Sequence, residues 1–208
     1  MLKRSLQAGA RRPGRPWPPA QLDRFTPAPE LLAWVEQTIL APGGVLHNPD
    51  HTHLVDADLA FLWTPGAFEK AGRAVLGQAE QVMFRAGGWQ KARQEQQMIE
   101  WFGRVPAFLI TLAADYCAAC SDAEFCALVE HELYHIGHAP DPYGAPAFDK
   151  QGRPKLRIVG HDVEEFVGVV ARYGPSAQVR RLVAASSAAP TVPRLDLARA
   201  CGCCLRIA

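Results

Sequence analysis

The stretch SDAEFCALVEHELYHI, residues 121–136, predicts a helix around which the rest of the fold can be placed. Ser121 and Glu124 have the spacing of a capping box, in which the serine hydroxyl accepts a hydrogen bond from the third helical N–H and the glutamate reaches back to the serine backbone. Gly137 and Pro140 are typical of the end of such a helix. We therefore predict a helix that begins at Ser121 and ends near residue 136.

This helix carries the pattern HExxH in His131, Glu132 and His135. The spacing sets two imidazoles one helical turn apart on one face, with a carboxylate beside them, so both rings can bind one Zn²⁺ ion. Zinc held in this way lowers the pKa of a bound water towards neutrality, and Glu132 is placed to take the proton of that water and pass it to a leaving amine. The pattern predicts a zinc peptidase with Glu132 as general base.

A catalytic zinc site has three protein ligands and one open position, so a third ligand is required. His138 and Asp141 are near in sequence, but both follow Gly137, which is predicted to break the helix. The metzincin pattern puts its third ligand at the position of Asp141 and a glycine at position 138, where this chain has histidine. Neither residue is favoured.

Further candidates lie in GHDVEEF, residues 160–166, at the start of the next predicted helix. If Asp162 caps that helix, Glu165 falls at the third helical position, where a capping carboxylate is expected. His161 has no comparable structural role. We prefer His161 as the third ligand, with Glu164 or Glu165 as the alternative.

Periodic apolar patterns elsewhere predict both strands and helices. The predicted strands cover residues 55–63, 74–84 and 107–113, and the predicted helices outside the central one cover residues 30–40, 162–173 and 176–185. This order predicts an α+β fold of the zincin-like kind, a small antiparallel or mixed sheet packed on the HExxH helix with a second, ligand-bearing helix.

The groups that would contact a substrate are less clear in the sequence. Residues 107–113 form either an edge strand that pairs with an extended peptide or a buried central strand. Tyr134, Tyr143 and Tyr173 are candidates for stabilising an oxyanion, although buried tyrosines usually pack with one hydrogen bond. His47, His51 and His53 have metal-like spacing but are predicted to lie in a surface loop.

The ends of the chain differ in composition from its centre. Six prolines fall between residues 13 and 29, and Lys3, Arg4, Arg11, Arg12 and Arg15 make the start basic. Such a segment supports neither a helix nor a central strand. We predict a flexible basic tail over residues 1–28, a metallopeptidase domain over residues 29–187 and a C-terminal tail with a cysteine cluster over residues 188–208.

Four of the cysteines have the spacing of two zinc half-sites, Cys117 with Cys120 and Cys201 with Cys204. They either bind a second, structural metal or are small buried apolar residues and part of a frayed end. The gap of about 80 residues between the two pairs is far from that of a compact zinc ribbon.

The composition excludes several classes of protein. In 208 residues the net charge is +1, which argues against a whole-protein electrostatic role on nucleic acid or on an anionic membrane. No apolar run approaches the roughly 20 residues that span a bilayer. We predict a cytoplasmic protein whose substrate is a protein or peptide. The alternative function is a nucleic-acid-associated protein, in which the basic tail docks on phosphates and the zinc site acts on bound proteins or is only structural.

The runs ALVEHELYHI, residues 127–136, and GHDVEEFVGVVARYG, residues 160–174, resemble the putative phage metallopeptidase family of phages and prophages. The resemblance covers residues 50–175, and it extends more distantly to SprT-like and minimal gluzincin peptidases. Carried over position by position, it implies zinc ligands His131, His135 and His161 and the base Glu132.

Overall fold

A four-stranded mixed sheet organises the fold. The computed structural model describes residues 14–70, 72–163, 167–189 and 205–206. Strands β2 (Leu59–Thr64) and β6 (Phe108–Ala113) run parallel in the centre of the sheet. Strand β1 (Thr26–Pro27) pairs antiparallel with β2, and β5 (Gly77–Gln81) pairs antiparallel with β6. The strand predicted over residues 107–113 is therefore central, and β5 is the edge strand on that side.

Both faces of the central strands are buried, as the near-continuous apolar sequence of β2 and β6 requires. One face packs on helices α1 (Pro29–Val35) and α4 (Asp122–Tyr134). The other face packs on the C-terminal end of helix α2 (Gly88–Phe102) through Met98, Trp101 and Phe102. The result is a mixed α+β fold in which α4 packs on the sheet.

The other elements surround this core. Strands β3 (Phe68–Lys70) and β4 (Arg73–Val75) form a hairpin, to which β9 (Leu205–Arg206) adds, and β7 (Ile136–His138) pairs antiparallel with β8 (Leu156–Ile158). The other helical segments that the structure describes are a π-helical turn (Glu36–Leu40), a 3₁₀ turn (Pro49–Leu54), α3 (Ala114–Ala119), α5 (Val167–Tyr173) and α6 (Ala177–Ser187). No helix in the described ranges has the length and apolar character needed to cross a membrane.

The capping box predicted for α4 is confirmed. The Glu124 N–H donates to the Ser121 hydroxyl over 3.3 Å, and the Ser121 N–H donates to the Glu124 carboxylate over 2.9 Å. The helix ends at Tyr134, earlier than predicted, because the chain enters β7 at Ile136. His135 is the C-cap residue and keeps helical dihedral angles, so the one-turn spacing from His131 is preserved.

The prediction of a flexible tail over residues 1–28 is wrong for its second half. Arg15 is only 7% exposed, and its guanidinium donates to the carbonyl oxygens of Cys117 and Cys120 over 3.0 and 2.8 Å. It also forms an ion pair with Asp122 and lies over the ring of Trp17. A guanidinium offers five donors in a planar fork, so one arginine can satisfy several acceptors at the end of α3. Residues 1–13 lie outside the described chain.

We expect Arg15→Ala to lower the free energy of unfolding by about 3 kcal/mol, because one buried and one partly buried carbonyl oxygen lose a charged donor. The exposed carboxylate of Asp122 adds little to this cost. Urea unfolding checks the prediction, with Arg24→Ala as control, since the Arg24 side chain is 88% exposed. Equal unfolding midpoints for the two variants would show that Arg15 is not part of the core.

Candidate metal centre

Three histidines converge at the end of α4. Nε2 of His131 lies 3.2 Å from Nε2 of His135 and 3.3 Å from Nε2 of His161. One nitrogen from each ring lies within 4.8 Å of the other two, and the three residues could hold one metal ion. The structure therefore brings together the three histidines that the sequence singled out.

The spacing of these nitrogens fits a metal of zinc size. Ligand nitrogens at about 2.0–2.1 Å from a tetrahedral ion are about 3.3 Å apart, close to the two observed distances. His135 Nδ1 lies 2.8 Å from the carbonyl oxygen of Val159. Because a carbonyl can only accept, Nδ1 carries the proton and the lone pair of Nε2 is left for a metal.

Burial, together with the neighbouring His135 and His161, lowers the pKa of His131 to about 4. The ring is therefore neutral at pH 7, and the neutral form is the one that ligates. This electrostatic environment is consistent with a site that takes up a cation.

His161 reaches the site through the β7–β8 hairpin. The Val159 N–H donates to the His135 carbonyl oxygen over 2.8 Å, which ties the residues after β8 to the end of α4. The sequence placed His161 at the start of a second, ligand-bearing helix, and this is wrong. His161 lies in an irregular segment after β8, residues 161–163 are not helical, and the described part of α5 is Val167–Tyr173. Glu164 and Glu165, the alternative ligands, lie outside the described residues.

Glu132 lies beside the histidines and is almost fully buried, with 1% exposure. Burial raises the pKa of its carboxyl group to about 7, and a hydrogen bond from the Ala79 backbone N–H partly offsets the rise. The carboxylate is thus held between α4 and the edge strand β5. A group with a pKa near 7 can both accept and return a proton at neutral pH.

Gly77 permits this close approach, and sequence reasoning missed it. A Cβ atom at residue 77 would lie 2.5 Å from Oε1 of Glu132, closer than real Cβ atoms come to other atoms. The signal in the sequence is a glycine within a strand, which often marks close approach of another group to the backbone.

An open cleft of about 680 Å³ leads to these residues. Its walls are the β3–β4 hairpin, strand β5 and the segment after β8, and its floor includes Glu132, His135 and His161. Tyr134, Tyr143 and Tyr173 are not among the described residues that line it. The Tyr134 hydroxyl instead donates to Asp50 and accepts from Asn48, each over 3.0 Å.

The second group of histidines is not the surface loop that the sequence predicted. His51 is fully buried against the ring of Tyr134, and burial lowers its pKa to about 4. His53 Nε2 lies 2.7 Å from the carbonyl oxygen of Ile136. His47 alone is well exposed. In the described chain His51 and His53 contact residues at the end of α4 and just after it, and none of the three histidines joins the three-histidine cluster.

The cysteines of the first predicted half-site support the fold near Arg15. Cys117 and Cys120 are free thiols, and burial raises the pKa of both. Cys201 and Cys204, the second half-site, lie outside the described residues. The alternative in which the two half-sites share a second metal therefore stays a hypothesis.

Comparison with known families gives one finding. The family model described as "Putative phage metallopeptidase" matches residues 32–187, a range that contains Glu132 and all three histidines of the cluster. The searches of curated proteins and of solved structures gave no match.

Proposed function

Because the chain belongs to the putative phage metallopeptidase family, we propose that it is a zinc-dependent peptidase of the zincin-like kind. In this proposal His131, His135 and His161 hold the metal and Glu132 is the general base. The observation that carries it is the convergence of three Nε2 atoms beside one buried carboxylate in an open cleft. Three imidazoles are a ligand set of catalytic zinc sites, which keep a fourth position open.

The zinc ion, when bound, supplies a Lewis acid and a water of lowered pKa. The role of Glu132 is to accept a proton at its carboxylate and to return it to the leaving amine. Its pKa of about 7 suits both directions of transfer at neutral pH. The Ala79 N–H orients the carboxylate, so that little reorganisation is needed during the reaction.

The edge strand β5 is placed to bind the peptide substrate. It is the last strand of the four-stranded sheet, and Gly77, Gln78 and Ala79 line the cleft. An extended peptide can add to such an edge through main-chain hydrogen bonds. We assign pairing with the substrate to β5 because residues 107–113, the candidate considered from the sequence, form the central strand β6.

The direct test measures hydrolysis of fluorescent casein and of a quenched peptide library by the zinc-loaded protein. We expect cleavage that a chelator abolishes and that added zinc restores. Cleavage that survives complete removal of the metal, or no cleavage of any substrate by protein shown to contain zinc, would contradict the proposal.

We expect Gly77→Ala to lower kcat by about 10- to 100-fold, because the new methyl group displaces the Glu132 carboxylate and small displacements of reacting groups are costly. Zinc affinity should change little, since the three histidines are not displaced. The matched control is Gly87→Ala, where a Cβ atom meets nothing within 4 Å and φ is −117°. Equal loss of activity in both variants would exclude a positioning role for Gly77.

A further inference from the structure

The β3–β4 hairpin presents a mixed apolar and cationic face to the cleft. Phe68 pairs with Val75 and Lys70 pairs with Arg73 across the two strands. All four residues line the cleft that contains Glu132, His135 and His161. Because side chains alternate along a strand, Glu69 and its partner Ala74 point to the opposite face of the hairpin.

The two cations lie directly opposite each other on the paired strands. Like charges at paired positions of two strands are unfavourable. In the part of the chain that the structure describes, neither Lys70 nor Arg73 forms an ion pair with a carboxylate. Glu132 is the only acidic residue among the described residues that line the cleft, and it is buried. The accessible charge at this end of the cleft is therefore positive.

We propose that Lys70 and Arg73 form a cationic subsite that selects substrates with a carboxylate close to the scissile bond. Phe68 and Val75, on the same face, contact the aliphatic part of the bound residue. The carboxylate comes from an aspartate or glutamate side chain or from the C-terminus of the substrate. This inference rests on the proposed peptidase function and names its substrate class.

The two cations of the hairpin fit a substrate carboxylate better than a nucleic-acid phosphate. The two cations line the same cleft as the metal cluster, so their ligand is part of what enters that cleft. The chain as a whole is not basic, since its net charge is +1, and Glu69 lies between Phe68 and Lys70 on β3. Of the five cations that make the start of the chain basic, Arg15 is the one that the structure describes, and it is buried in the core.

The test compares kcat/KM for matched quenched peptides that differ by one group. One pair has glutamate or glutamine next to the cleaved bond, and a second pair has a free or an amidated C-terminus. We expect the parent protein to prefer the carboxylate in at least one pair by about tenfold, a preference that weakens as salt is added. The pair that shows it identifies the source of the carboxylate.

The variant Lys70→Gln, Arg73→Gln removes both charges from the cleft, and we expect its preference to fall to nearly one. The matched control, Lys155→Gln, Arg157→Gln, removes the same charge from exposed residues near β8 that do not line the cleft. The control should keep the parent preference. Melting temperatures establish that both double variants are folded.

The outcomes separate this inference from the proposed function. Cleavage without a carboxylate preference, or a preference that the Lys70→Gln, Arg73→Gln variant retains, overturns the subsite and leaves the peptidase in place. If no peptide is cleaved, fluorescence anisotropy measures binding of the same peptides to the parent and to the variant. A carboxylate preference in binding that the variant loses supports the subsite even though the peptidase proposal has failed. Equal binding of both peptides, or binding of a single-stranded oligonucleotide in their place, overturns the subsite.

Discussion

Replacing Glu132 by glutamine should leave the metal bound and lower kcat by about 100- to 10,000-fold, the range that general acid–base catalysis contributes. The amide keeps the shape of the carboxylate and can still accept from the Ala79 N–H, but it cannot take up a proton from water. Zinc content should stay at about one ion per chain, because the three Nε2 atoms are unchanged.

The structure also predicts the effect of this change on stability. Burial penalises the charged form of Glu132, so a neutral glutamine should not lower the melting temperature. Measurements of kcat, zinc content and melting temperature on the same preparation separate loss of the base from loss of the fold. Turnover at the parent rate by a folded, zinc-loaded Glu132→Gln protein would exclude Glu132 as the base.

Removing any one of His131, His135 and His161 should weaken zinc binding by far more than the about 10- to 100-fold that loss of an outer partner costs. Each ring supplies one of three converging nitrogens, and the double variant His131→Ala, His135→Ala should bind no zinc at this site. Competition with a chelator of known affinity measures the effect.

His47→Ala is the matched control, since His47 is exposed and lies outside the three-histidine cluster. Glu164→Ala and Glu165→Ala test the alternative third ligands, which lie outside the described residues. Zinc affinity that survives in His161→Ala but is lost in one of the glutamate variants would assign the third ligand to that glutamate.

Short-range features of the chain were predictable from its sequence. The capping box of α4 and the common face of His131 and His135 depend on residues three or four positions apart, and the helix geometry alone fixes those relations. The apolar run at residues 107–113 predicted a strand because a strand that is buried on both faces is apolar along its length, whichever strands pair with it. The match of the family model agrees with the family that these local runs resembled.

The tertiary structure alone decided which distant segments meet. The proline-rich sequence predicted a tail, but the Arg15 guanidinium donates to carbonyl oxygens about 100 residues away in sequence. No local pattern reveals such a contact. Both β5 and β6 were predicted to be strands, but only their pairing shows that β5 lies at the edge of the sheet and β6 in its centre. The same pairing set Gly77 against Glu132.

The positions of His161 and of the cationic hairpin also depend on contacts between segments that are distant in sequence. The β7–β8 pairing, and not a helix start, returns His161 to the end of α4. Lys70 and Arg73 share a cleft with His135 and His161 only because the folded chain brings the hairpin to the wall of that cleft. Sequence by itself determined the helix, its chemistry-bearing residues and their spacing, because hydrogen bonding and side-chain direction within one turn are local. The partners of those residues depended on long-range pairing, in which many arrangements satisfy the same local preferences and only the packed core selects one.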